Sequence, residues 1–327
     1  MMLTAGLGTR LRPITDKLAK PAVPFLNIPL FYYPISLMEE LEISSLVLNT
    51  HYKPEQIEKL ARQIPGANYP VTFSHEAESP LGSGGGIWKA RNLLEGGGSF
   101  LVCNGDEVIL PHDPHIMRKF YDEHRKHGSL ATILVMEHPE VGHQFGGVWA
   151  DSNGRVHGFA KTDKAYPGLR GYHYIGLLLL NDRIFSYLPE GESNILYDAL
   201  AKGIAKGEEV RVVVGDFTWY ETGNPQNFLS ASEEAMQLLI ETDRPDSQAL
   251  VKICARFWSK KTRLEFRGSA FILRGTDSII DANVHLKGFA VLGDGSRLAA
   301  SGQVMENIVV MPGAEATGPC ANQIICA

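Results

Sequence analysis

Every sixth residue near the end of the chain is aliphatic, and this periodicity limits the fold more than any other feature of the sequence. The register runs unbroken through seven positions: Ile280, Leu286, Leu292, Leu298, Val304, Val310 and Ala316. A period of six matches neither an α-helix nor a half-buried strand. It is typical of the left-handed β-helix, whose coils take about 18 residues and bury one aliphatic side chain per edge. We predict about two to three such coils; an irregular β-structured tail is the alternative.

The first two thirds of the chain alternate strand-like segments with helix-like ones. SLVLNT at residues 45–50 precedes the helix-like PEQIEKLARQI at 54–64, and GGIWKARNLLE at 85–95 precedes SFLVCNGD at 99–106. Such alternation indicates βαβ units, whose strands pair in parallel. We therefore predict an α/β fold with a mixed, mostly parallel sheet flanked by helices.

Capping and turn residues predict where individual elements begin and end. We expect one helix to start at Pro114 with Asp113 as its N-cap and to end at Gly128. Asn224, followed by a proline, is expected to cap a second helix. The sequence DSNG at 151–154 predicts the turn of a β-hairpin.

Length and charge exclude several classes of protein. With 327 residues, the chain exceeds the roughly 250 to 300 residues at which a single core stops growing, so we expect one large domain and an appendage. A net charge of −6 argues against nucleic acid as a partner, because phosphate neutralisation needs a basic face. No apolar run approaches the ~20 residues that span a bilayer, and the first residues lack the features of a signal peptide. We expect no membrane partner and a cytoplasmic location.

The cysteines show no pattern that would bind a metal. None of them forms a CxxC pair, and their spacing does not match a zinc site. We interpret them as reduced, mostly buried thiols. They are Cys103, Cys254, Cys320 and Cys326.

The opening LTAGLGTRLRPITDKLAKP, residues 3–21, combines glycines with four cations: Arg10, Arg12, Lys17 and Lys20. Glycines allow main-chain amides to approach oxygen atoms closely, and a guanidinium adds a bidentate donor, so the loop is suited to holding phosphates. It is not a dinucleotide fingerprint, because Leu11 stands where GxGxxG needs glycine, nor is it a Walker loop, because no GK[ST] follows.

This opening is similar to the GxGTRLxPxT…KP signature of the sugar-1-phosphate nucleotidylyltransferases, particularly the mannose-1-phosphate guanylyltransferase-like and N-acetylmuramate 1-phosphate uridylyltransferase-like bacterial enzymes. The resemblance implies a Rossmann-like catalytic domain of the nucleotide-diphospho-sugar transferase type, often followed by a left-handed β-helix. We accordingly expect a catalytic domain over residues 1–240, a helical linker over 241–264 and a short β-helix over 265–327. It also implies Mg²⁺ as cofactor, and a nucleoside triphosphate and a sugar 1-phosphate as substrates.

Two segments resemble the nucleotide-binding parts of the family. The opening loop supplies the first, and PLGSGGGIWKA at 80–90 resembles the PLGT[AG]G loop that approaches base and ribose; a glycine-rich helix start is its ordinary alternative. The resemblance implies these nucleotide-binding residues: Thr4, Ala5, Gly6, Gly8, Thr9, Pro80, Gly82, Ser83, Gly84 and, at a strand end, Asn104.

Two acidic residues match the family's metal-binding positions. Asp106 in VCNGDE stands where the family holds Mg²⁺, and Glu221 in WYETGNP replaces the second metal-binding Asp. A carboxylate at the C-terminal edge of a parallel sheet lies where ligands bind. The alternatives are a turn former at Asp106 and a surface acid before a helix cap at Glu221.

Two further segments resemble the sugar-binding parts. VHGFAKTD at 156–163 resembles VxxFxEKP, which assigns Lys161 to the sugar phosphate but puts Ala160 where a sugar-contacting Glu is expected. YHYIGLLLLN at 172–181 resembles NxGxYxF, with His173 or Tyr174 near the usual Asn and with Gly176 retained.

The reaction that the resemblance implies needs no catalytic base. An oxygen of the sugar phosphate, already an anion, attacks the α-phosphorus of the triphosphate and pyrophosphate leaves, so catalysis depends on positioning and on cations. Arg10 is assigned to the β and γ phosphates, Lys20 to the α-phosphate, and Lys161 to the sugar phosphate. Arg10, Lys20 and Asp106 are the expected catalytic residues.

Three questions stay open at the level of sequence. The GSGGGI segment slightly favours UTP, with GTP next. The substitutions at Ala160, His173 and Glu221 also allow a catalytically inactive, nucleotide-sugar-sensing or regulatory subunit; a Rossmann oxidoreductase is disfavoured by Leu11 and by the sixfold tail. Short β-helices in this family often join subunits, so a homo-oligomer through the tail is a further expectation.

Overall fold

The computed structural model describes residues 1–241, 243–299 and 302–327. Residue 242 of the expected linker and residues 300 and 301 of the expected β-helix lie outside the described residues. The strands are, in chain order, β1 (Met2–Leu3), β2 (Pro24–Phe25), β3 (Ile28–Pro29), β4 (Leu46–Thr50), β5 (Val71–His75), β6 (Ser99–Asn104), β7 (Val108–Pro111), β8 (Ala131–Met136), β9 (Gly147–Ala150), β10 (Val156–Ala160), β11 (Arg170–Asn181), β12 (Val210–Val214), β13 (Phe217–Tyr220), β14 (Arg263–Arg267), β15 (Ala270–Arg274), β16 (Ile279–Ile280), β17 (His285–Leu292), β18 (Arg297–Leu298), β19 (Val304–Val310), β20 (Glu315–Ala316) and β21 (Cys320–Ile325).

Helices of four to fourteen residues connect these strands. They are α1 (Ile14–Lys17), α2 (Tyr32–Leu37), α3 (Pro54–Arg62), α4 (Gly82–Lys89), α5 (Arg91–Leu94), α6 (Ile116–His127), α7 (Ala201–Ala205), α8 (Pro225–Leu238) and α9 (Pro245–Phe257). A π-helical turn over Ile195–Leu200 leads into α7. Short 3₁₀ turns include Thr9–Leu11 and Lys20–Ala22. Within the described ranges, no helix is both long and apolar enough to cross a lipid bilayer.

The chain forms two compact units. The first comprises Met1–Leu7 and Pro34–Trp219, and the second comprises Gly8–Tyr33 and Tyr220–Ala327. The predicted domain boundaries after residues 240 and 264 stay predictions.

The first unit is built on a mixed sheet of nine strands. Strands β5, β4, β1 and β6 pair in parallel, as do β8 and β12. Strand β11 runs antiparallel to β6, β8 and β9, and β10 runs antiparallel to β9. The predicted α/β class with a mostly parallel central sheet is therefore confirmed.

One edge of this sheet gathers the carboxyl ends of its parallel strands. Leu3 at the end of β1 pairs with Asn49 of β4 on one side and with Asn104 of β6 on the other. Thr4, the residue after β1, consequently lies among these strand ends, where open α/β sheets bind their ligands.

The second unit contains two further sheets in its C-terminal part. Strands β14, β15, β17, β19 and β21 form one of them, and β16, β18 and β20 form the other. Apart from the antiparallel pair of β14 and β15, their strands are parallel. Phe271 pairs with Phe289 and Ile279 with Arg297, an offset of eighteen residues that a period of six predicts. The last pair of the larger sheet departs from it, since β19 and β21 pair at an offset of fifteen residues, as in Met305 with Cys320. The β-helix itself stays a prediction.

Val304 is the position that departs most from the sixfold register. Val304 is 42% exposed, whereas Leu292, Leu298 and Val310 are buried. Val304 begins its strand and pairs with His285 on one side, while the next residue, Met305, is paired on both sides and fully buried. His285 is exposed as well, and the buried Leu286 pairs with Met305, so the register shift between Lys287 and Ala290 places Met305 rather than Val304 in the inward position.

Three of the four predicted element ends are confirmed. Helix α6 ends at His127, and Gly128 caps it with a left-handed φ of 59°. Asn224 caps α8, and its side chain accepts the amide of Asn227 at 2.9 Å. The turn at 151–154 joins the antiparallel strands β9 and β10. The expected start at Pro114 was wrong, since α6 begins at Ile116; the Asp113 carboxylate accepts the His115 amide at 3.0 Å in a local turn that precedes the helix.

Candidate active site

The opening loop of the second unit is folded by its own short hydrogen bonds. Gly8 has a left-handed φ of 64°, and its carbonyl accepts the Leu11 amide at 3.0 Å and the Thr15 hydroxyl at 2.8 Å. Leu11 and Thr15 are buried, whereas Arg10 is exposed. A Cβ on Gly8 would lie 3.1 Å from the Cβ of Lys20, so glycine is required where the ends of the loop meet. The backbone is fixed while the guanidinium stays accessible.

Gly223 brings two of the predicted site residues together in the same unit. A Cβ at this position would lie 3.3 Å from the Arg10 guanidinium and 3.3 Å from the Glu221 carboxylate. Glu221 also accepts a hydrogen bond from the Asn227 side chain at 2.5 Å. The start of α8 therefore orients Glu221, and the missing side chain of Gly223 leaves room for both charged groups.

In the first unit, Thr4 and Asn104 occupy the strand ends, as predicted. The Thr4 and Ala5 side chains are buried, and Gly6 is exposed, with no heavy atom within 4 Å of the position that a Cβ would take. Close packing continues at Gly105, where a Cβ would lie 2.6 Å from the Thr4 side chain. At Gly6 the main chain, rather than a side chain, is therefore exposed.

The glycine-rich segment is the first part of helix α4, whose residues 84–87 are buried, and its glycines contact their own chain. A Cβ on Gly84 would lie 2.6 Å from the Ser193 hydroxyl, and the Gly84 amide donates to the Ser193 carbonyl at 2.8 Å. The Ser83 hydroxyl accepts the Ile195 amide at 3.0 Å. Both groups are therefore engaged within the protein. Their predicted contacts with a nucleotide stay predictions.

A second cluster forms around the turn that follows β6. Asn104 donates to one oxygen of Glu107 at 3.0 Å, and the Trp219 indole donates to the other at 2.9 Å. Gly176 has a φ of 87°, and a Cβ there would lie 2.9 Å from the Asn104 amide group. Asp106 lies half-buried in the same turn. The cluster holds Asn104 against the retained glycine of β11.

His173 is buried in an aromatic cluster. Its ring lies 4.6 Å from Trp219, 5.0 Å from Phe145 and 5.6 Å from His138, measured between centroids. Burial, followed by the charge of His138, lowers the pKa of His173 to about 4. Among the described residues, neither ring nitrogen has a hydrogen-bond partner. A neutral imidazole in apolar surroundings thus lies near the position where the resemblance places an asparagine side chain.

Lys161 follows β10 and is exposed. Ala160, which takes the place of the expected Glu, uses its carbonyl to accept the Trp149 indole at 3.2 Å. The side chain that would contact sugar hydroxyls is absent at this position.

The described residues contain no group of three His, Cys, Asp or Glu side chains arranged to hold a metal ion. Mg²⁺ is commonly held by one or two carboxylates together with substrate phosphates. Asp106 in the first unit and Glu221 in the second each present a carboxylate, the type of donor that Mg²⁺ prefers.

Several residues that support the site were not singled out from the sequence. Gly223 and Asn227 position the Arg10 and Glu221 groups, as described above. Asn49 and Glu76, both buried, contact the segments at Thr4 and Leu81. Gly223 stands inside the WYETGNP motif, so the sequence contained a usable signal for it. The spacing of residues gives no such signal for Asn49 and Glu76.

Known proteins resemble this chain over most of its length. Residues 1–237 match the nucleotidyl transferase family. Mannose-1-phosphate guanylyltransferase 1 of Arabidopsis thaliana is 28% identical over 252 residues, which cover 76% of this chain and 66% of that protein. The UTP–glucose-1-phosphate uridylyltransferase of Synechocystis sp. is 26% identical over 328 residues, covering 95% of this chain and 82% of that protein.

A solved structure shares the fold. HddC from Yersinia pseudotuberculosis superposes with a TM-score of 0.57 at 24% identity, covering 71% of this chain and 97% of HddC. The present chain spans less than two thirds of the plant mannose-1-phosphate guanylyltransferases, between 62% and 66% of their length.

Proposed function

Because the chain belongs to the nucleotidyl transferase family, we propose that it transfers a nucleoside monophosphate from a nucleoside triphosphate to a sugar 1-phosphate. An oxygen of the sugar phosphate forms a bond to the α-phosphorus, the bond from that phosphorus to the β-phosphate oxygen breaks, and pyrophosphate leaves. The nucleophile is an anion, so the protein's task is to position two polyanions and to stabilise the charge that develops.

The observation that supports this proposal most directly is the opening loop. It retains the family signature, its backbone is fixed by the contacts of Gly8, and Arg10 stays exposed beside Glu221. In this proposal, Arg10 binds the β and γ phosphates and the departing pyrophosphate, and Lys20 binds the α-phosphate. A fixed loop with an accessible guanidinium is suited to that role because preorganised donors lower the barrier most.

The remaining roles follow the same proposal. Lys161 neutralises the sugar phosphate, and Gly6 presents its amide to the triphosphate. Asp106 and Glu221 would hold a Mg²⁺ ion, which supplies positive charge to the phosphates when bound. Ala160 and His173 lie in the proposed sugar subsite, so sugar selection here depends on contacts other than a carboxylate.

UTP is the proposed nucleotide, with GTP next. Of the two enzymes compared above, the uridylyltransferase aligns with 95% of this chain, whereas the guanylyltransferase aligns with 76%. A thermal-shift screen across the common triphosphates tests the choice, since only a nucleotide that binds the native state raises the melting temperature.

We further propose that residues 265–327 form a short left-handed β-helix through which copies of the chain associate. The eighteen-residue offset between β15 and β17 and between β16 and β18 supports the first part. Sedimentation equilibrium tests the second, and a monomer would contradict it.

The test of the activity is pyrophosphate release from each triphosphate with Mg²⁺ and a panel of sugar 1-phosphates. Arg10→Ala should lower turnover on the order of 10²-fold or more without changing the melting temperature. Arg62→Ala is the matched control, because Arg62 lies outside the loop and makes an exposed ion pair with Glu58, at 69% and 38% side-chain exposure. Near-normal turnover of Arg10→Ala would remove Arg10 from the mechanism. Triphosphate binding by the wild-type chain without turnover of any pair would favour the regulatory subunit.

A further inference from the structure

A chain of buried hydrogen bonds in the first unit joins the end of β1 to the start of α4. The Thr4 amide donates to Oδ1 of Asn49 at 2.7 Å. Nδ2 of Asn49 donates to Oε1 of Glu76 at 2.7 Å, and the Leu81 amide donates to Oε2 of Glu76 at 2.7 Å. Segments that are distant in sequence are thereby fixed to one another.

The two side chains at the centre of this chain are almost completely buried. Asn49 is 3% exposed and Glu76 is 1% exposed. A Cβ on Gly86 would lie 2.8 Å from Nδ2 of Asn49 and 2.9 Å from Oε1 of Glu76. Helix α4 therefore packs directly on the pair, and only glycine at position 86 permits this approach.

Each hydrogen bond in this series needs one donor and one acceptor. The main-chain amides of Thr4 and Leu81 can only donate, so the groups that face them must accept. Asn49 supplies an acceptor to Thr4 and a donor to Glu76, and Glu76 supplies two acceptors. Glutamine at position 76 would bring two donors together at one link, whichever way either amide is turned.

The two ends of this series of hydrogen bonds lie in the segments to which we assign nucleotide binding. Thr4 lies two residues before Gly6, and Leu81 precedes Gly82. Burying a carboxylate in a core costs free energy that an apolar residue of similar size avoids. The placement therefore indicates selection for precise geometry at both ends rather than for stability alone.

We propose that Asn49 and Glu76 are positioning residues that hold the main chain at Thr4 and at Leu81 in the geometry needed to bind the nucleoside triphosphate. This inference rests on the proposed function. Glu76 acts through its neighbours, because both of its oxygens are engaged and its side chain is buried. The pair thus sets the affinity for the nucleotide without touching it.

The experiment exchanges the donor and acceptor roles of the pair. Glu76→Gln alone brings two donors together, and Asn49→Asp alone brings two carboxylates together. In the double variant N49D/E76Q, the carboxylate introduced at position 49 accepts from the Thr4 amide and from the side-chain amide introduced at position 76. The oxygen of that side-chain amide then accepts from the Leu81 amide. Every link is restored, and the buried charge moves from position 76 to position 49.

We expect each single variant to raise the KM for the triphosphate roughly tenfold or more, because one buried link then holds two donors or two acceptors. The KM for the sugar 1-phosphate should change much less, and the double variant should return the triphosphate KM to within about threefold of the wild-type value, since every buried group is paired again. Glu95→Gln is the matched control, because Glu95 makes an exposed ion pair with Arg91 and should change neither constant.

Two results would overturn the proposal: an unchanged triphosphate KM in Glu76→Gln, or a double variant as impaired as the single variants. If the single variants fail to fold, the double variant must fold and bind the triphosphate, and its failure to do so counts equally against the proposal. Hydrogen exchange of the Leu81 amide, without any ligand, should be faster in Glu76→Gln and slow again in the double variant. That readout is independent of activity, so a wild-type chain that turns over no substrate pair refutes the proposed function while exchange still tests the pair.

Discussion

Two glycine-rich segments of this protein use glycine for different physical reasons. In the opening loop, Gly6 has no heavy atom near the position of a Cβ, and Gly8 is required for its φ and for the close approach of Thr15 and Lys20. In α4, Gly84 and Gly86 are buried against Ser193 and against the Asn49–Glu76 pair. The first segment leaves main chain exposed at Gly6, whereas the second uses the missing side chains to pack helix against loop.

This difference teaches that a glycine-rich motif does not by itself show where a ligand lies. Glycine allows close approach of any partner, and the partner can be the protein itself. Substituting each glycine by alanine separates the two uses. A packing defect lowers the free energy of unfolding, whereas a methyl group that excludes a ligand raises the KM for that ligand.

Of the three substitutions that compare the two segments, Gly84→Ala is expected to have the largest effect on stability. Its methyl group would lie 2.6 Å from the Ser193 hydroxyl and 3.2 Å from main-chain carbons, and overpacking of this kind costs about 1–3 kcal/mol. Urea unfolding should show a lower midpoint. Gly97→Ala is the control, because nothing lies within 4 Å of that position among the described residues; equal midpoints for both variants would show that the helix start is not tightly packed.

Gly8→Ala should destabilise the second unit by a smaller amount. An L-residue in the left-handed region costs roughly 1–2 kcal/mol, and the added methyl group would press on Thr15 and Lys20. Gly268→Ala provides the comparison, since Gly268 has a φ of 62° and open space around it. Thermal unfolding of both variants isolates the contribution of crowding, and turnover should fall only in Gly8→Ala. If Gly268→Ala also lost turnover, the loss in Gly8→Ala could not be assigned to the opening loop.

Gly6→Ala should leave stability within about 0.5 kcal/mol of the wild-type value. Its effect should appear in the KM for the triphosphate, which we expect to rise several-fold because the methyl group occupies the space through which the main chain would meet phosphate. Steady-state kinetics measure the change, with Gly97→Ala again as control. An unaltered KM would place the triphosphate away from Gly6.

Much of the fold could be predicted from local patterns. The cap at Asn224 depends on a side chain and amides within one helical turn, so the sequence contains the whole signal. The sixfold spacing likewise predicted the eighteen-residue pairing of Phe271 with Phe289. The start of α6 was mispredicted because Asp113 can cap either a helix or a local turn, and both satisfy the same carboxylate.

The candidate site was only partly accessible to the same reasoning. Arg10 and Glu221 are far apart in sequence, and only folding brings both to Gly223. The roles of Asn49 and Glu76 were invisible for a related reason, since a buried polar pair has no periodicity and its partners are main-chain atoms of distant segments.

The amino-acid order by itself determined the family signature, the class of the sheet and the repeat of the tail, because each depends on spacing within a short stretch. The tertiary structure alone decided which glycines face open space and which face protein. It also decided that a buried asparagine and glutamate join β1 to α4. Hydrogen bonds act over about 3 Å, so such contacts exist only after distant strands and loops have packed together.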